Sequence, residues 1–154
     1  MSFRDTEIRT LGIVGSGAMG RGIAQIAALG GLNVRLYDTN QQAITAAREY
    51  LADTLTKLAA KGKLNEADAH AALARIHAAG AIGDLADCDV VVEAIVEKLD
   101  VKRELFRELE GVVGENCILA SNTSSLSITA IAAGCAKPER VVGLHFFNPV
   151  PLMK

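Results

Sequence analysis

The chain has 154 residues, 50% hydrophobic and 22% charged, a balance that fits one packed domain and argues against a disordered chain. Its net charge is −2 with basic residues scattered along it, which argues against a nucleic-acid footprint. The longest uncharged stretch, residues 116–136, is broken by Asn, Ser and Thr and does not read as a membrane span.

Residues 1–10 carry charges of both signs and no apolar run, so no signal peptide is expected. Aromatics make up 4% and Trp is absent, so the core must come from Ala, Val, Ile and Leu, the usual filling of parallel strands covered by helices. Short apolar runs alternate with longer helical patterns, as in repeated strand–helix–strand units. Residues 11–14 predict a first strand. Residues 17–29 predict the helix after it, with Ile23, Ile26 and Ala27 on one face and Gly30 and Gly31 at its end. A second strand over 34–37 closes on Asp38. A long helix is expected over 41–61, broken by Gly62, and another from the N-cap Asn65 to about 74. This pair exceeds an ordinary crossover and is expected to protrude. Residues 76–79 suit a short strand. Residues 90–92 are a fully apolar strand ending in Glu93, and 100–113 an amphipathic helix with Leu105, Leu109 and Val112 on one stripe. Residues 118–120 form another buried strand ending in Ser121. Ser127 caps a short helix over 128–133, and a last strand over 141–144 ends at His145. No repeat or linker divides the chain, so residues 1–154 are expected to form one domain.

Gly15, Ser16, Gly17, Ala18, Met19 and Gly20 stand between the first strand and its helix, the context a dinucleotide fingerprint requires. The first glycine permits the tight turn, the second lets backbone approach a pyrophosphate, and the third lets helix and strand pack closely. The helix N-terminus offers free N–H groups to phosphate. Asp38, about twenty residues on, stands where a carboxylate binds the adenosine ribose hydroxyls and repels a 2′-phosphate, so NAD is favoured over NADP. Arg35 lies inside the second strand and not after it. Cys88, Cys117 and Cys135 fit no metal-ligand spacing and read as buried reduced thiols of a cytoplasmic protein. His70 and His77 read as structural or exposed.

Four motifs occur in order: the glycine loop; Val92, Glu93, Ala94, Ile95, Val96 and Glu97; Ser121, Asn122, Thr123, Ser124, Ser125 and Leu126; and His145, Phe146, Phe147, Asn148 and Pro149. Over nearly its whole length the chain resembles the N-terminal domain of L-3-hydroxyacyl-CoA dehydrogenases, including bacterial 3-hydroxybutyryl-CoA dehydrogenases. The resemblance implies an α/β, Rossmann-type doubly wound fold with a mainly parallel sheet. It also implies NAD-dependent exchange of L-3-hydroxyacyl-CoA and 3-ketoacyl-CoA. By it, His145 is the catalytic acid/base, a task suited to imidazole. Ser124 bonds the substrate oxygen and helps hold the nicotinamide side. Asn148 lies at the nicotinamide end, and Glu97 and Lys102 contact the cofactor. Read from the residues alone, Glu97 and Lys102 could equally be a surface pair, and Thr123, Ser125 and Ser127 caps and turns. Glu93 receives no role.

Thr54, Lys57 and Lys61 share a face of the long helix. By the resemblance Thr54 and Lys61 contact coenzyme A, and Lys57 is added on spacing. The family carries a glutamate that orients the histidine about a dozen residues later, and a C-terminal helical domain that closes over substrate and forms a homodimer. Both lie past the last residue here, so NAD binding is expected and turnover slight. Two alternatives stay open: another two-domain hydroxyacid or 6-phosphogluconate-type dehydrogenase, and a non-catalytic NAD-binding relative of the lambda-crystallin type. Acyl chain length and pathway, fatty-acid metabolism among them, are not legible.

Overall fold

The computed structural model describes residues 7–153; the start of the 1–10 segment read for a signal peptide lies outside them. Six strands form one parallel sheet in the order β3-β2-β1-β4-β5-β6. They are β1 Thr10–Val14, β2 Asn33–Tyr37, β3 Ile76–Ala78, β4 Val90–Glu93, β5 Ile118–Ser121 and β6 Val141–Gly143. The helices are α1 Ala18–Leu29, α2 Gln41–Ala60, α3 Glu66–Arg75, α4 Leu99–Val112 and α5 Ile128–Ala132. This is the doubly wound order, with its switch point between β1 and β4, where the chain direction across the sheet reverses.

Strand alternation sorts the core into two layers. Leu11, Ile13, Val90 and Val92 face α1, α2 and α3, where Ile23, Ala27, Ile44, Leu51 and Leu55 are buried. Val14 and Val91 face the other way, against Phe106 and Leu109 of α4 and Ile131 of α5. A Cβ on Gly12 would come within 3.0 Å of the Cys88 sulfur, so the second layer packs closely against that glycine.

The helical pair does not simply protrude. Ile44, Ala47, Leu51 and Leu55 of α2 and Ala69 and Ala72 of α3 are buried in the first layer. The far end, around the left-handed Gly62 (φ +69°), stands in solvent. The Asn40 side chain caps α2 through the Gln42 N–H, Asn65 caps α3 through Ala67, and Ser127 caps α5 through Ala130. Among the described residues, no helix is long and apolar enough to cross a membrane.

Register then aligns the strand ends. Val14 is level with Tyr37 and Glu93, Glu93 with Ser121, and Ser121 with Gly143. Every loop singled out in the sequence therefore leaves the same edge of the sheet.

Candidate active site

The glycine loop behaves as its spacing requires. Gly15 has φ +106°, and a Cβ there would lie 2.4 Å from the Ala94 carbonyl oxygen. A Cβ on Gly20 would meet the Gly15 carbonyl oxygen at 1.7 Å, so the third glycine is imposed by close packing of helix on turn. Gly17 is exposed, and a Cβ there would meet nothing within 4 Å. That open space is where backbone can approach a ligand. Gly17 is also the N-cap of α1 and supplies no side-chain cap, which leaves the first-turn N–H groups free for an anion.

Asp38 closes this loop from the end of β2. Its Oδ2 accepts the Ser16 N–H at 2.9 Å and the Ser16 hydroxyl at 2.8 Å, and its Oδ1 accepts the Asn40 N–H at 3.0 Å. Partial burial alone would raise the carboxyl's pKa; the bonds from Asn40 and Ser16 outweigh it and hold Asp38 below its ordinary value. Arg35 is engaged elsewhere: its guanidinium donates to the Asp84 carbonyl at 2.6 Å and to Asp87 Oδ2 at 2.7 Å. The loop, the uncapped helix end and the carboxylate together fit a dinucleotide, with no cation offered by Arg35 to a 2′-phosphate.

The other expected residues meet in a cavity of about 320 Å³ at the same sheet edge. Met19 brings the glycine loop to it. Glu97 lines it from the β4–α4 turn and Lys102 from the first turn of α4, Asn122 and Ser124 from the loop after β5, and His145, Phe146 and Asn148 from the segment after β6. Asn122 fixes that last segment, its Oδ1 accepting the Phe146 N–H at 2.8 Å. The His145 ring lies 4.6 Å from that of Phe147, centroid to centroid. Among the described residues, no side chain hydrogen-bonds the His145 imidazole.

Glu97 and Lys102 are not a surface pair. Lys102 is 1% exposed, and its Nζ lies 2.7 Å from Glu93 Oε1 and 2.9 Å from Glu97 Oε1. Burial would raise the Glu97 pKa; bonds from Lys102, Thr123 and Ser125, with the Lys102 charge, override it and bring Glu97 to about 2. Thr123 and Ser125 are therefore more than caps, although Thr123 Oγ1 also accepts the Leu126 N–H. Glu93 and Asn122 are the residues that the sequence reading missed. The available signal was an acidic residue ending an all-apolar strand, a position that demands a buried partner.

Thr54 and Lys61 stay apart from this cavity, Thr54 half-buried on α2 and Lys61 exposed at its C-cap. Lys57 pairs with Asp53 at 2.7 Å. His70 and His77 are exposed. A larger cavity, of about 460 Å³, lies between α2 and β3 and contains none of the candidate residues. Burial pushes the Cys88 thiol up to about 12 and Cys117 to about 11, which leaves both inert as nucleophiles.

A glycine cradle at the switch point, a carboxylate closing it from the end of β2 and a cavity holding a histidine define a dinucleotide domain of dehydrogenase type. The family model for the 3-hydroxyacyl-CoA dehydrogenase NAD binding domain matches residues 10–154. A probable 3-hydroxybutyryl-CoA dehydrogenase of Deinococcus radiodurans is 46% identical over 143 residues, covering 93% of this chain and 51% of the relative. A 3-hydroxyadipyl-CoA dehydrogenase of Escherichia coli is 45% identical, covering 96% of this chain and 31% of the relative. The crystal structure of (S)-3-hydroxybutyryl-CoA dehydrogenase from Ralstonia eutropha superposes with a TM-score of 0.91 at 48% identity, covering 96% of this chain and 52% of that one. The chain belongs to the 3-hydroxyacyl-CoA dehydrogenase NAD binding domain family, and its cofactor is NAD. It spans about half the length of the 3-hydroxybutyryl-CoA dehydrogenases it matches.

Proposed function

We propose that this chain is the cofactor domain of an enzyme that interconverts an L-3-hydroxyacyl-CoA and a 3-ketoacyl-CoA. The observation that carries the reading is the single cavity lined by Met19 of the glycine loop, Ser124, His145 and Asn148. The names of the relatives, which act on 3-hydroxybutyryl-CoA and 3-hydroxyadipyl-CoA, support the substrate class.

Bound NAD would supply the hydride acceptor for oxidation and, as NADH, the hydride donor for reduction. The α1 N-terminus and the loop at Gly15 to Gly20 receive its diphosphate, and Asp38 its adenosine ribose. Glu97, Lys102 and Asn148 attend the nicotinamide end. Ser124 hydrogen-bonds the substrate oxygen. His145 takes the hydroxyl proton in oxidation and returns it to the carbonyl oxygen in reduction. Thr54 and Lys61 hold the coenzyme A portion, and a homodimer forms through a second domain; both readings rest on the family resemblance, while a cytoplasmic location rests on reading Cys88, Cys117 and Cys135 as reduced thiols.

Among the described residues no side chain orients the His145 imidazole, and a general base left unoriented is a less effective catalyst. In the serine-protease triad, altering the orienting carboxylate costs on the order of 10⁴ in rate. This chain by itself therefore binds NADH but reduces acetoacetyl-CoA slowly. The test follows NADH consumption with acetoacetyl-CoA, for this chain and for a version extended through a second domain of family type. Fast turnover by the extended protein, lost in His145→Gln, supports the reading. NADH binding without turnover in the extended protein would point to a non-catalytic relative.

A further inference from the structure

Where β4 passes into α4, Lys102 and Glu97 form a charge group with Glu93, a buried residue to which none of the roles above is assigned. Glu93 is fully buried at the end of β4, level with Val14 on one side and Ser121 on the other. The Lys102 ammonium spends its three donors on Glu93 Oε1 at 2.7 Å, Glu93 Oε2 at 2.8 Å and Glu97 Oε1 at 2.9 Å. Glu93 also accepts the Ser121 hydroxyl at Oε1 and the Ile95 N–H at Oε2. Two carboxylates thus share one cation.

Stability is a poor reason for such a group, because apolar replacements of buried ion pairs are often as stable or more so. Its geometry has a different consequence. With one oxygen of Glu97 on Lys102, the other accepts Thr123 Oγ1 at 2.8 Å and Ser125 Oγ at 3.0 Å. Those two residues flank Ser124, which is exposed in the cavity. Ser121 ties the same loop from beneath: it donates to Glu93 and accepts the Thr123 N–H at 3.2 Å.

We propose that Glu93 is a positioning residue for the nicotinamide end of the site: it fixes Lys102, Lys102 fixes Glu97, and Glu97 grips the loop on both sides of Ser124. The proposal rests on the reading of Ser124 and Asn148 as nicotinamide-side residues. Glu93 is fully buried and does not line the cavity, so it acts only through this chain of bonds.

The test is Glu93→Gln in the whole chain, read by NADH fluorescence titration and by the amide resonances of residues 123–125. The side chain keeps its shape and loses its charge. Losing one bond to a charged group should raise the NADH Kd about tenfold or more. The resonances of Thr123, Ser124 and Ser125 should move, while those of Gly15 and Gly17 stay in place. A lower melting temperature with unchanged NADH affinity and unmoved 123–125 resonances would overturn the proposal and leave a structural pair. Should Glu93→Gln fail to fold, Ser121→Ala keeps the ion pair and removes one hydroxyl donor. It should weaken NADH about threefold and move the same resonances; no change in either would overturn the proposal. If the parent chain itself binds no NADH, the cofactor reading fails separately, and the resonances alone decide the case for Glu93.

Discussion

Ser16 gives both its backbone N–H and its hydroxyl to one oxygen of Asp38, at 2.9 and 2.8 Å. The residue inside the phosphate loop and the residue expected at the ribose are thereby one unit. The carboxylate orients the loop and, with one bond from Asn40 on Oδ1, keeps a lone pair free there. Asp38→Asn removes the charge that tightens all three bonds. NADH affinity should fall about tenfold, the worth of a hydrogen bond to a charged group, and preference over NADPH should shrink. Parallel titrations with the two cofactors check this.

Gly17 and Gly20 separate ligand binding from folding. Gly17→Ala places a methyl in open space at an N-cap with φ −69°, a conformation alanine adopts freely. Its stability should change by less than about 0.5 kcal/mol, while NADH binding is lost to the methyl blocking the phosphate approach. Gly20→Ala drives a methyl into the Gly15 carbonyl and should cost stability as well. Urea melts beside NADH titrations distinguish the two variants.

Lys102 neutralises carboxylate charge that cannot reach water. Lys102→Met strands the Glu93 carboxylate, 0% exposed, without its counter-charge. The expected loss is about 3–5 kcal/mol, measured as a shift in urea midpoint. A loss under about 1 kcal/mol, the range of exposed pairs, would mean that the pair is not buried in solution.

Glu97 carries a pH signature. Its folded pKa of about 2 lies below the ordinary 4.5, so its bonds to Lys102, Thr123 and Ser125 contribute stability above pH 4.5. That contribution drains away as pH falls from 4.5 toward 2. Glu97→Gln should therefore be less stable than the parent at neutral pH and converge with it in acid. Urea midpoints on a descending pH series test this. Glu97 is 41% exposed, so solvent screening keeps the difference small.

Strand and helix order was legible because each carries its own period: Val90 to Val92 can only be a buried strand, and Leu105 and Leu109 mark one helical stripe. The structural roles of Gly15 and Gly20 were legible because φ and close packing constrain glycine directly. The charge group was not. Glu93 and Lys102 are nine residues apart, and only the reversal of the chain through residues 94–98 brings them together, a relation that no periodicity records. Lys102, on a helix otherwise rich in charge, looks like a solvated residue until the turn folds it inward. The 3₁₀ turns at Ile82–Leu85, Pro138–Arg140 and Val150–Leu152 were missed for a related reason: three or four residues are too few to show a pattern.

Fluorescence titration of this chain with NADH, with NADPH in parallel, tests the central claim most directly. The account predicts saturable NADH binding, with NADPH weaker by about tenfold or more, because Asp38 repels a 2′-phosphate and Arg35 is held by Asp84 and Asp87. Equal affinity for both, or none for either in a chain shown to be folded, would contradict it.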